Sequence, residues 1–247
     1  FKRHLGGDHM SDIDGIIVGI DIGTSKTAVV VTQKDELEDK ILVLGIGYAT
    51  NTGIRRGKVV NLEQTIQSIK KAAEEASLMA GAQFGSVNIN IPGEIDSLNS
   101  KGIVAISSKD REVRLRDIQR VLEQARILDI PHDRVILHLF PQHFKLDDQD
   151  NIKDPTGMTG IRLESHVHLI TTQKMNITNI VRCVTKAGFQ PQQGMAGCYA
   201  AANAVLSDDD KYSGTLLLDI GAGSTNIMAY LEGYPVFSYT LPLGGSN

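Results

Sequence analysis

A chain of 247 residues, 41% hydrophobic and 22% charged, has the balance of an ordinary folded domain or a pair of them. Its net charge of −4 excludes a broad basic surface for nucleic acid, and no apolar run reaches the roughly 20 residues of a membrane-spanning helix. The two cysteines, Cys183 and Cys198, lack metal-site spacing and are expected as reduced structural thiols of a cytosolic protein.

The opening FKRHLGGDHM has no periodicity, so residues 1–10 read as a tag or linker, with Met10 the expected native start. GIIVGIDIG and TAVVVTQ then predict a hairpin around a glycine turn, and ILVLGIGYAT a third strand. Asn61 is a good N-cap. After it Leu62, Ile66, Ile69, Ala73 and Ala76 recur at helical spacing until Gly81. SVNINIPG and GIVAIS predict strands, Leu115–Leu128 a helix, and RVILHLF and RLESHVHLITT two more strands around the polar run DDQDNIKDPTGMTG. This middle block reads as a small α+β insert with its own core. Helices follow over 175–188 and 196–206, then an acidic connector, SDDDK, then a second hairpin, GTLLLDIGAGSTNIMAYLEG, running on to LPLGG.

The two hairpins share one plan: a strand ending in Asp-Ile-Gly, a small polar turn, and a returning strand. Consecutive N–H groups of such a turn can cradle an anion, and an aspartate at the strand end can hold a water of a Mg²⁺ shell. Asp21 and Asp219 are therefore the metal candidates, acting on Mg²⁺ through water. Gly23, Thr24, Ser25, Lys26, Gly221, Gly223, Ser224 and Thr225, with the two aspartates, are the candidates for gripping the phosphates of ATP from two sides. A single Asp-Ile-Gly is only a turn signal. Two copies in matching strand contexts are the layout of the actin-like ATPase superfamily.

Longer stretches narrow the resemblance. GIRRGKVVNLEQTIQSIKKAAEEASLMAG, LNSKGIVAI and DRVILHLFPQHFKLDDQDNIKDPTGMTGIRLESHVHLITT resemble the FtsA family of actin-like bacterial cell-division proteins, and the likeness runs from about Ile16 to the end of the chain. The resemblance implies an α/β actin-like (ribonuclease-H-like) fold: its first half, with an inserted α+β subdomain, 1C, of SHS2 type. It divides the chain into subdomain 1A (11–85 and 166–207), subdomain 1C (86–165) and a truncated start of subdomain 2A (208–247), so that the chain reads as an N-terminal fragment. It also implies an ATP-binding, filament-forming scaffold rather than an enzyme, on the cytoplasmic face of the bacterial inner membrane at the division site. There it would tether FtsZ through a part not present here, reach the membrane through a C-terminal helix, and recruit later division proteins through the insert. ATP and Mg²⁺ would bind the fragment weakly or not at all, because the base pocket lies in the remaining half. The alternatives are a PilM-like pilus-assembly protein and an active ATPase or sugar kinase of the same superfamily.

Against the superfamily pattern Asp-Ile-Gly-Gly-Gly-Thr-small-Asp, the second loop carries Ala222, Ser224 and Asn226. Ala222 is strained if its φ is positive. Asn226 either removes a charge beside the metal or points away into the hairpin. Gly197 stands where such ATPases often place a water-positioning Glu or Gln, and Asn203, the nearest polar residue, is expected to face solvent; binding without efficient turnover follows. His166 and His168 alternate on a strand without a third metal ligand. His138 and His143 are read as structural. Arg55, Arg56 and Lys58 read as solvated charge. Arg111, Arg114, Arg116 and Arg120 make the insert locally basic, which suits a protein contact.

Overall fold

A computed structural model describes residues 15–35 and 40–246; the expected tag over 1–10 lies outside the described residues. The elements in chain order are β1 (Ile16–Ile22), β2 (Lys26–Asp35), β3 (Lys40–Thr50), β4 (Ile54–Arg55), β5 (Lys58–Val59), α1 (Leu62–Ala80), β6 (Ser86–Ile91), β7 (Ile95–Ala105), α2 (Leu115–Ala125), β8 (Arg134–Leu146), β9 (Gln149–Ile152), β10 (Arg162–Gln173), α3 (Lys174–Ala187), β11 (Gln190–Ala196), α4 (Gly197–Val205), α5 (Asp208–Ser213), β12 (Thr215–Ile220), β13 (Thr225–Leu231) and β14 (Tyr234–Leu241). They fall into two compact units.

The first unit, through Arg55 and then Val59–Asn90 and Asn179–Gly194, is built on a sheet of order β11-β6-β1-β2-β3. β1 runs antiparallel to β2 and parallel to β6. Alternation along β1 and β2 puts Val18, Ile20, Ile22, Val29 and Val31 on one buried face. α1 covers that face with Ile66, Ile69, Ala72, Ala73 and Ala76. The helix starts where the sequence places it. The Asn61 side chain accepts from the Gln64 N–H at 3.1 Å, and Gly81 closes the helix at φ 62°. Its close seat depends on Gly45 and Gly47 in β3, since a side chain at either would run into the helix backbone between Ala72 and Ala80. α1 also covers the open edge of β3. The Tyr48 N–H donates to Glu75 Oε2 at 2.7 Å, and the Ile46 N–H to Met79 Sδ at 3.3 Å.

The second unit holds a seven-stranded sheet of order β12-β13-β14-β7-β10-β8-β9. β7 and β10 pair over their whole length, from Arg162 opposite Ala105 to Thr172 opposite Ile95. α2 packs on β7 at Gly102, where a Cβ would strike the Val121 carbonyl. Val113, Val121, Phe144, Leu146 and Leu163 form one core cluster, and Ile95, Ile170, Ala196, Cys198, Met228 and Tyr230 another. β14 joins β7 at Tyr239 opposite Asp96, so the second Asp-Ile-Gly hairpin and the strands of the middle block share one sheet.

Three elements depart from the expected pattern. The SDDDK connector folds as α5, because Ser207 and Asp210 close a reciprocal capping box. The polar run after Leu146 folds back as β9. GFQPQQGMA supplies β11, an edge strand of the first sheet with little apolar alternation.

Candidate functional site

The two Asp-Ile-Gly turns have the same backbone geometry. In each, the strand pairing ends at the Ile, opposite Thr27 in the first and Thr225 in the second. In each, the glycine N–H donates across the turn at 2.9 Å, Gly23 to the Lys26 carbonyl and Gly221 to the Ser224 carbonyl. In each, a Cβ on that glycine would stand 3.1 Å from the same carbonyl. Both glycine amides are thus spent inside the turn.

Each aspartate is also held by an asparagine amide from a neighbouring strand. Asn90, on β6, donates from Nδ2 to Asp21 Oδ1, and its own Oδ1 accepts the Ile22 N–H at 2.8 Å. Asn226, on β13, donates to Asp219 Oδ2 at 3.1 Å, and its Oδ1 accepts the Thr240 hydroxyl at 2.8 Å. In both cases a donor on Oδ1 fixes which way the amide faces. Asn226 does not point away into the hairpin; it orients Asp219. Ala222 is unstrained, since the described non-glycine residues with positive φ are Arg56, Arg111, Asp147, Asn151 and Glu232.

The first turn is further pinned by Asn51, a buried residue that sequence reading passed over. Its Nδ2 donates to the Gly23 carbonyl at 3.0 Å, its Oδ1 accepts the Gly53 N–H at 3.0 Å, and its own N–H donates to the Ser25 carbonyl at 2.9 Å. Asp21, Ser25 and Lys26 are exposed, Gly23 and Thr24 half-buried. The Lys26 ammonium lies 5.4 Å over the Tyr48 ring. The second turn is more enclosed. Gly245 and Ser246 donate at 2.9 Å to the Gly221 and Ala222 carbonyls, and the Thr225 hydroxyl donates to the Leu243 carbonyl at 2.8 Å. Gly244 allows this approach, as a Cβ there would stand 2.5 Å from the Ala222 oxygen. Gly221 is exposed, Asp219, Ser224 and Thr225 are half-buried, and Gly223 is buried.

The other sequence candidates have structural partners. His168 is fully buried, its Nδ1 2.8 Å from Asn99 Oδ1 and its Nε2 3.1 Å from Ser238 Oγ, and burial pushes its pKa down to about 4. His166 stacks on His143 with ring centroids 4.6 Å apart. Among the described residues no group of three or more His, Cys, Asp or Glu could hold a metal directly. His138 Nε2 accepts the Ala196 N–H at 3.0 Å, ahead of α4. Asn203 is exposed and accepts from Lys211 at 3.2 Å. Cys183 and Cys198 are buried free thiols, pushed by burial up to about 11 and about 12. In the insert Arg114 pairs with Asp110 at 2.7 Å and Arg120 with the buried Asp117 at 3.2 Å, while Lys58 pairs with Glu94 at 3.0 Å.

The family matched over residues 93–171 is the SHS2 domain inserted in FTSA. The cell division protein FtsA of Borreliella burgdorferi is 40% identical over 230 residues, 93% of this chain and 55% of that protein. FtsA of Pseudomonas aeruginosa is 41% identical over 233 residues, 94% and 55%. FtsA of Bacillus subtilis is 36% identical over 233 residues, 94% and 52%. The chain thus spans about half the length of the curated relatives it matches. Among solved structures, a PilM–PilN type IV pilus biogenesis complex aligns at TM-score 0.65 and 16% identity, covering 93% of this chain and 62% of that one. The ethanolamine utilization protein EutJ of Carboxydothermus hydrogenoformans aligns at 0.52 and 16%, covering 93% and 53%. The fold is that of the actin-like ATPases, as the doubled hairpin implies, and among the described residues no helix is long and apolar enough to cross a membrane. Over residues 93–171 the chain carries the SHS2 domain inserted in FTSA, and over the stretch it spans it is similar to the FtsA cell division proteins.

Proposed function

We propose that this chain is the phosphate-contacting, SHS2-bearing half of an actin-like division scaffold. The reading divides it as the sequence does, into subdomain 1A, the inserted subdomain 1C and the opening hairpin of 2A. In the longer protein each Asp-Ile-Gly turn contacts the phosphates of one ATP. Asp21 and Asp219 hold waters of the Mg²⁺ that accompanies it, and the ion neutralises phosphate charge when bound. Thr24, Ser25 and Lys26 serve the first turn. Ser224 serves the second, while the Thr225 hydroxyl is committed to Leu243. The scaffold forms filaments, tethers FtsZ at the inner membrane through parts outside this stretch, and recruits later division proteins through the insert.

The observation that carries this reading is the recurrence of one turn geometry, with one kind of aspartate clamp, on both hairpins. The residues present fit a water-mediated Mg²⁺–phosphate group: a single oriented carboxylate per turn, small side chains, and amides past each glycine. Gly197 brings no side chain to position an attacking water. Weak or absent hydrolysis follows, which separates this scaffold from sugar kinases and chaperone ATPases. A pilus-assembly role shares only the fold.

The test is MgATP calorimetry. The full-length protein is expected to bind, Asp21→Asn and Asp219→Asn each to weaken binding at least tenfold, and turnover to stay below about one per second. The present chain alone is expected to bind weakly or undetectably. Undiminished binding by both variants, or fast turnover, would overturn the reading.

A further inference from the structure

The same peptide is tied back in both turns. The Gly23 carbonyl accepts Asn51 Nδ2 at 3.0 Å, and the Gly221 carbonyl accepts the Gly245 N–H at 2.9 Å. In each hairpin the donor comes from just past the third strand. Asn51 follows Thr50, the last residue of β3, and Gly245 stands a short way beyond Leu241, the last of β14. A second carbonyl is tied in each turn as well, Ser25 by the Asn51 N–H and Ala222 by the Ser246 N–H, both at 2.9 Å. The two ties differ in kind. Backbone supplies both donors to the second turn, whereas a side chain holds the glycine of the first.

A carbonyl oxygen facing a phosphate repels it, and the amide end of a peptide attracts it. Across a trans peptide the two ends point in opposite directions. A donor that holds the Gly23 oxygen therefore aims the other end of the Gly23–Thr24 dipole away from Asn51. Without that donor the peptide can rotate at little cost, because a glycine stands on one side of it. The anchor itself is fixed. Asn51 is 2% exposed, and its Oδ1 accepts the Gly53 N–H at 3.0 Å, which sets the way its amide faces. The Gly53 carbonyl in turn accepts the Val60 and Asn61 N–H groups at 2.8 and 3.0 Å, and a side chain on Gly53 would strike Thr65. Asn61 caps α1, so Asn51 braces the turn on the N-terminus of that helix. Every member of this brace lies in the first unit.

We infer that Asn51 is the positioning residue for phosphate binding by the first turn, holding the Gly23–Thr24 peptide with its oxygen turned away from the anion. This role rests on the nucleotide reading and adds to it a residue that touches no phosphate.

The test is MgATP calorimetry on the full-length protein at about pH 8, where a carboxyl is ionised. Asn51→Asp keeps an acceptor for the Gly53 N–H but sets an oxygen against the Gly23 carbonyl, and is expected to weaken binding at least about tenfold. Thr52→Asp brings the same charge to the exposed neighbouring position without touching the tie, and is expected to stay within about threefold of wild type. Hydrogen exchange separates positioning from general damage. In wild type, MgATP is expected to slow exchange over both Gly23–Lys26 and Gly221–Thr225. In Asn51→Asp at saturating nucleotide, the first segment is expected to lose that protection and the second to keep it. Should Asn51→Asp fail to fold, Asn51→Ala carries the same measurements. A wild type that does not bind MgATP would overturn the nucleotide reading and this role with it. A wild type that binds, with a folded Asn51 variant binding as tightly or Thr52→Asp losing as much as Asn51→Asp, would overturn the role of Asn51 alone.

Discussion

His168 is the residue whose chemistry departs furthest from its sequence appearance. In the sequence it pairs with His166 as a potential metal couple; in the fold it is a neutral imidazole locked between Asn99 and Ser238. Its pKa of about 4 in the folded chain lies below the ordinary 6.5, so the unfolded chain takes up the proton first as pH falls. The stabilisation is therefore complete above about pH 6.5 and is lost progressively toward pH 4, by up to about 3 kcal/mol. Urea unfolding at pH 7.5 and 4.5 measures it. His168→Gln is expected to be less stable at pH 7.5 but to lose less on acidification, with a residual slope from His138, whose pKa burial also lowers. An unchanged slope would remove His168 as its source. At Asn226 the sequence left two readings open, and the hydrogen bonds decide between them. Asn226→Asp would set two carboxylates about 3.1 Å apart and replace a donor by an acceptor. A loss of about 2 kcal/mol at pH 7 is expected, larger at low salt, read by thermal unfolding in about 20 and about 500 mM salt, roughly a 25-fold range in ionic strength, as a gap that narrows with salt. Asn51 was illegible for a plain reason: nothing in TNTG says that its amide bridges a turn twenty-eight residues earlier.

At the scale of elements, the legible parts are those whose signals are local. A nearly unbroken apolar run gave β1, its returning partner gave β2, RLESHVHLITT gave β10, and the Asn61 and Gly81 caps gave both ends of α1. The parts that were missed have other causes. β9 and β11 are polar edge strands, held by partners distant in sequence or by turn geometry, and their own residues carry no period-two apolar pattern. α5 did carry a local signal, Ser207 three residues before Asp210, which the run of acids obscured. The glycines of the strands divide by the same reasoning. Gly47 lies under α1, where a side chain meets helix backbone, whereas a Cβ on Gly19 in β1 has nothing within 4 Å. Gly47→Val should cost about 3 kcal/mol, and Gly19→Val should be neutral or slightly stabilising through strand propensity. Chemical denaturation of the two variants checks this. Equal losses would mean that the seat of α1 does not depend on that glycine.

For the whole molecule, the question is whether the last forty residues are an appendage or part of a core. The sequence reading makes them the opening of another subdomain, and a chain spanning about half of its relatives invites that view. Packing within the second unit gives them a structural duty here. Met228 and Tyr230 are buried with Ile95, Ile170, Ala196, Cys198 and Ala202, and Leu217 packs against the same cluster. Polar bonds reinforce the join, because Thr240 accepts the Ile95 N–H at 3.2 Å and Ser238 shares His168 with Asn99. Removing β12–β14 would expose one side of that cluster. Burying two such side chains is worth roughly 2–3 kcal/mol each, so ending the chain after Leu206 should cost several kcal/mol. Hydrogen exchange on the shortened chain should show α4 and the first residues of β7 losing protection, with α1 unchanged. If α4 keeps its full protection, the hairpin contributes nothing to the core of the second unit, and its only role is the one proposed for it in the longer protein.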